Sequence, residues 1–113
     1  MGNAMSATVT PLVIGVTGHR NLSARGVGPL RERVRDFFTQ LQREFPGLPL
    51  VVLDSLAAGG DQLVAEEALR AGARVIAPLP FARERCVQDF ADDDRMAFES
   101  LCARAEVLQL PLV

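Results

Sequence analysis

Apolar and polar positions alternate between two periods along this chain. Leu12-Val13-Ile14-Gly15-Val16 is a short, largely β-branched run closed by Thr17-Gly18, the pattern of a strand buried on both faces. A polar stretch follows from His19 to Gly28, and Pro29 suits a first helical turn. Leu30, Val34, Phe37, Leu41 and Phe45 then recur at helical spacing, with Arg31, Glu32, Arg35, Asp36, Gln42 and Arg43 largely opposite them. Pro46-Gly47 ends this predicted helix. Leu50 to Leu53 predicts a second buried strand.

The pattern then repeats. Asp54 to Gly60 reads as a loop, with Asp61 expected to cap a helix from Gln62 to Ala71 whose inner face is Val64, Ala65, Ala68 and Leu69. Gly72 suits a left-handed helix end, and Arg74 to Ala77 predicts a third strand stopped by Pro78-Leu79-Pro80. Helical periodicity returns over Glu84 to Phe90 and Asp94 to Ala105, with Asp92 or Asp93 as a cap between them. Val107 to Leu110 predicts a fourth strand. Strands alternating with helices through short joints imply parallel strands and right-handed crossovers. The expected fold is therefore α/β: an open parallel sheet of about four strands with helices on both faces, a Rossmann-like three-layer sandwich.

The chain has 113 residues, room for one domain. Residues 1–10 read as a leader, with Met1 to Ala4 a cloning remnant ahead of a second Met5. Without a basic n-region or an apolar h-region it does not read as a secretory signal. Residues 11–113 read as the domain. No apolar run approaches the ~20 residues of a membrane span, so a cytoplasmic protein with no membrane partner is expected. An apolar share of 49% and a charged share of 23% exclude a disordered or fibrous chain.

Charge and residue types narrow the chemistry. All 12 basic residues are Arg, so no Walker lysine or Schiff-base amine is available. The net charge of -2 makes broad nucleic-acid binding unlike this chain. His19, Cys86 and Cys102 lack metal-ligand spacing, so no metal is expected. The two cysteines would lie ~24 Å apart on one continuous helix, too far for a disulfide, and read as small buried side chains.

Ligands of open parallel sheets bind outside the carboxyl ends of the strands. Two loops fall there: Gly15-Val16-Thr17-Gly18-His19-Arg20 and Ala57-Ala58-Gly59-Gly60-Asp61-Gln62. Glycine allows backbone to approach a phosphate or sugar closely, while Thr17, His19 and Arg20 add hydroxyl, imidazole and guanidinium donors. Neither loop has GxGxxG or GxxxxGK[ST] spacing, and an ordinary tight turn is the competing reading. Asp92-Asp93-Asp94 reads as helix-end charge rather than a magnesium site. Phe81, Phe90 and Phe98 read as core residues, and Arg83 to Arg85 as second-line rim contacts.

Gly15 to Arg20, Ser55 to Ala65 and Gly72-Ala73-Arg74-Val75-Ile76-Ala77-Pro78-Leu79-Pro80 together resemble the SLOG superfamily, from Leu12 to about Leu110. That Rossmann-like group includes the lonely-guy phosphoribohydrolases, the DNA-processing A proteins and nucleotide-sensing domains. The resemblance implies a bound nucleotide or nucleotide-derived ligand at Gly15, Thr17, Gly18, His19, Arg20, Gly59, Gly60, Asp61 and Gln62, within a bacterial-type sensor or a module of a larger protein. The PGGxGTxxE segment of the lonely-guy enzymes is missing, so no catalytic residue is assigned and a non-enzymatic role leads. The alternatives are an N-glycosidase or phosphoribohydrolase acting on nucleotides, with Asp61 or a residue beyond Val113 activating water, and single-stranded DNA binding. Family members usually continue with a fifth strand and a second Gly-rich loop, which makes this an expected N-terminal fragment of such a domain. No cofactor beyond the ligand is expected. A homodimer is, because strand edges and Leu110, Leu112 and Val113 would otherwise stay bare.

Overall fold

The protein is described by a computed structural model covering residues 10–18, 24–79 and 82–110. Its elements run β1 (Leu12–Gly15), α1 (Ala24–Glu44), β2 (Leu50–Leu53), α2 (Gly60–Arg70), β3 (Arg74–Leu79), α3 (Arg83–Cys86), α4 (Asp92–Arg104) and β4 (Glu106–Gln109). The four strands form one all-parallel sheet in the order β1-β2-β3-β4. This is the open parallel α/β architecture that the alternating pattern predicts.

Strand order decides where the helices go. When each strand lies beside its predecessor and each crossover is right-handed, successive helices fall on the same side of the sheet. Accordingly α1 packs on α2, and α2 on α4. Leu50, Val52, Val75, Ala77 and Leu79 point toward this layer and are buried with Phe38, Ala65, Ala68, Phe98 and Leu101. The expectation of helices on both faces is met on one face among the described residues. The other face carries Val13, Leu53 and Leu108, exposed by 53%, 37% and 54%. Beside them, Arg74 and Glu106 make a two-pronged ion pair at 2.7 and 2.8 Å.

The first helix departs from its predicted limits and phase. It begins at Ala24 and encloses Pro29, whose missing N–H removes one rung of the ladder. The side chain buried against the sheet is Phe38, at 1% exposure, whereas Phe37 and Phe45 are 48% and 42% exposed. The stripe Arg31, Arg35, Phe38 and Gln42 therefore faces inward and sideways. Arg31 donates to Glu66 and Glu67, Arg35 to Glu67, and Gln42 to the Ala71 carbonyl. Half of the polar side thus forms the seam between α1 and α2, while Glu32, Asp36 and Arg43 stay exposed.

Two joints behave as predicted, and two do not. Gly47 and Gly72 both have φ near +87° and +86°, the left-handed region that favours glycine at helix ends. The third strand, however, runs on through Pro78 to Leu79. The Ile76 carbonyl faces β2, where it accepts from the Asp54 N–H, and the Leu79 carbonyl faces β4, where it accepts from the Leu110 N–H. Pro78 shares the side of Ile76, beyond the last residue of β2, so its missing N–H breaks no rung. The region between the cysteines is likewise not one helix: α3 ends at Cys86 and α4 starts at Asp92. The separation along a single axis does not apply, and Cys86 acts on the Cys102 thiol, whose pKa burial pushes up. Neither is in a disulfide, and Cys102 is buried as expected. The cap of α4 is Ala91, with Asp92, Asp93 and Asp94 all in its first turn, where their charge complements the positive end of the helix dipole.

Candidate functional site

At the carboxyl end of the sheet, the Val16 N–H donates to the Leu53 carbonyl at 3.0 Å. This bond holds the exit of β1 beside the end of β2. Thr17 and Gly18 continue from it, both exposed. Gly18 lies directly against the start of α2: a methyl group there would meet the Asp61 nitrogen, the Gly60 carbonyl carbon and Asp61 Oδ1 at 3.0 Å each. Close approach is thus what Gly18 supplies. Gly15 has open space where its side chain would be, so nothing in the described structure demands glycine there.

The second loop is built to start a helix with bare backbone. Gly59 is the residue before α2, with φ 90° and ψ -127° and no side-chain cap. Gln62 and Leu63 donate their N–H groups to the Ala57 and Gly59 carbonyls, which leaves Gly59 and Gly60 ahead of the helical ladder. Asp61 is not the cap expected from the sequence. It lies within the first turn, 6% exposed. There its Oδ2 accepts from the Ser55 hydroxyl at 3.2 Å. Burial raises its pKa, while Ser55 and the N–H groups of Gly18 and Ala57 act in the opposite direction. Gln62 is turned inward, donating to the Leu56 carbonyl at 3.3 Å and the Asp94 carbonyl at 3.0 Å, and so ties this loop to the start of α4.

Thr17, Gly18, Gly59, Gly60 and Asp61 are therefore brought together, as the two-loop reading predicts. Gln62 joins them as a brace. His19 and Arg20 lie outside the described residues. The sheet order contains no reversal among the described strands, so the crevice of a doubly wound sheet is not what gathers these loops. Direct packing of Gly18 on α2 does that. Beside Thr17, a cleft of about 370 Å³ opens between β1 and α1, lined by Ile14, Gly15, Val16, Thr17, Arg33, Val34, Phe37, Phe38 and Val64.

One residue of this region was not singled out from the sequence. Asp54, directly after β2, is 1% exposed. Its Oδ1 accepts from the Leu56 N–H at 2.9 Å and its Oδ2 has no partner among the described residues. Burial, with Asp61 adding to it, pushes its pKa up to about 7. The Leu56 bond supports an uncommon backbone: Leu56 is fully buried with φ 63°, a conformation costing a branched side chain of order ~1 kcal/mol. An aspartate at the carboxyl end of a buried strand is the signal that points to it. Among the described residues no three His, Cys, Asp or Glu side chains could hold a metal ion, and no helix is long and apolar enough to cross a membrane.

A single layer of helices on a parallel sheet, with glycine-lined loops meeting at the strands' carboxyl ends, defines a Rossmann-like α/β domain. Among solved structures, its fold is similar to the X-ray structure of DNA processing protein A (DprA) from Streptococcus pneumoniae, with a TM-score of 0.54 and 20% identity. The likeness covers 88% of this chain and 30% of that one, and it is a likeness of fold. No protein-family model matches the chain, and no curated protein matches it.

Proposed function

We propose that the rim formed by Thr17, Gly18, Gly59, Gly60 and Asp61, extended by His19 and Arg20, binds a nucleotide or nucleotide-derived ligand. The observation that carries this reading is the contact of Gly18 with the start of α2. It joins two stretches of bare backbone where helix N–H groups lie outside the ladder, the arrangement that receives phosphate in many folds. The cleft beside Thr17, with Phe37 and Arg33 on its wall, offers an apolar surface for a base. Replacing Arg20 by Ala should weaken ADP-ribose binding by ~1.5–3 kcal/mol, the worth of a charge-assisted hydrogen bond. Arg43→Ala, on the far side of α1, should leave it unchanged. Calorimetry giving equal losses for both variants would return the rim to the status of a tight turn.

The likeness to a DNA-processing protein favours a second reading, single-stranded DNA binding. The chain spans about 30% of that protein's length, and its net charge of -2 opposes a phosphate-backbone track. A labelled oligonucleotide that binds with steep salt dependence would favour DNA, whereas saturable binding of ADP-ribose would favour the small ligand.

A further inference from the structure

Two buried carboxylates bracket the stretch that runs from β2 into α2, and each has an oxygen without a hydrogen bond among the described residues. Asp54 and Asp61 are both more than nine-tenths buried, and the unpartnered atoms are Asp54 Oδ2 and Asp61 Oδ1. Asp61 Oδ1 is wedged against Gly18, at the junction of the two loops. A buried polar atom with no partner is costly, and two ionised carboxylates at the two ends of this stretch repel each other and any anion placed on the Gly59-Gly60 backbone. We propose that this rim takes up a proton at Asp54 together with a pyrophosphate-bearing ligand. The inference rests on the nucleotide reading above and makes Asp54 a residue that governs which charge state of the site is competent to bind.

The groups around Asp54 isolate it. From α2 it is faced by Asp61, the one charged side chain that acts on it among the described residues. From β3 comes the Ile76 carbonyl, and from its own loop the Leu56 N–H; neither titrates. Its pKa near 7 places the change within the neutral range, where an ordinary aspartate is fully ionised. If the protonated form alone binds, affinity follows the protonated fraction. A histidine side chain ordinarily changes charge in the same range, and His19 lies outside the described residues, so it is varied as a control.

ADP-ribose suits the test because its pyrophosphate keeps a constant charge across neutral pH. Binding by calorimetry should be about tenfold tighter at about pH 6 than at about pH 8. Asp54→Asn, a neutral isostere, should bind with no such dependence, whereas His19→Gln should retain it. On the unaltered protein, titrations in two buffers of different ionisation enthalpy should register net proton uptake on binding, which keeps the test independent of how the variants fold. Binding that is equally tight at both pH values without proton uptake, or an Asp54→Asn variant that keeps the full dependence, overturns the proposal and leaves the nucleotide reading standing. No binding at either pH overturns both.

Discussion

At the residue scale, Glu67 shows how charge is used away from the rim. It is 2% exposed and sits between α1 and α2, with Arg31 at 2.7 Å, Arg35 at 3.0 Å and Arg70 at 3.7 Å. Burial alone would raise its pKa, but the bonds from Arg35 and Arg31 outweigh it and hold the carboxyl below its ordinary value. A lowered folded-state pKa contributes stability above the unfolded value, and that contribution is lost as pH falls through the folded one. Glu67→Gln should therefore cost about 1–2 kcal/mol at neutral pH, a figure discounted because both arginines reach solvent. The cost should shrink as pH falls below the ordinary glutamate range and through the lowered folded value, where the native carboxyl also protonates. Thermal melts across this range test it; a penalty that is constant with pH would mean that shape rather than charge matters at this position. Asp54 has the opposite sign. Both residues were hard to find in the sequence for the same reason: Glu67 stands off the predicted inner face of its helix, and Asp54 stands in a stretch that reads as loop. Only the packing of α1 on α2, and of the β2 loop under it, buries them.

At the element scale, the strands were legible, as was the inner face of α2, where Val64, Ala65, Ala68 and Leu69 all meet the core, whereas the phase of α1 was legible only in part. Short β-branched runs such as Leu50 to Leu53 have few other fates in a chain this apolar, and β2 has the predicted limits. In α1, Phe37 and Phe38 are adjacent, about 100° apart on the helix, and either gives a regular apolar stripe. The helical pattern selected Phe37, whereas packing against the sheet selects Phe38. The two rings meet edge to face with centroids 5.6 Å apart. Phe38→Ala should cost about 3–5 kcal/mol, and Phe37→Ala about 1 kcal/mol because half of its surface is already in water. Denaturant unfolding of the two variants separates them; equal losses would contradict the phase described. The joints were read from glycine, which succeeded at Gly47 and Gly72, where a left-handed turn is needed. It gave no way to distinguish Gly18, which needs close approach, from Gly15, which does not.

At the scale of the whole molecule, alternation of strand and helix made the parallel sheet legible, whereas strand adjacency was not written in the pattern. The sequential order places the helices on one face and leaves Val13, Leu53 and Leu108 on the other. Parallel sheets are ordinarily covered on both faces, and an exposed apolar face favours association. Leu108→Gln should therefore reduce light scattering from concentrated protein while changing stability by less than about 1 kcal/mol. Scattering that is identical in the two proteins would show that this face is not the adhesive one.

The meeting of the two loops was legible because both follow strand ends, and a parallel sheet sends those ends to the same rim. On the proposed reading, Gly18 and the Gly59-Gly60 turn together receive the ligand. Titrating ADP-ribose into isotopically labelled protein and following each backbone amide by NMR tests it most directly. Saturable shifts should concentrate at Thr17, Gly18, Gly59, Gly60 and Asp61, with the amides of Gln40, Arg43 and Glu44 on the far side of α1 unmoved. Shifts confined to other surfaces, or none at concentrations where the ligand binds, would contradict it.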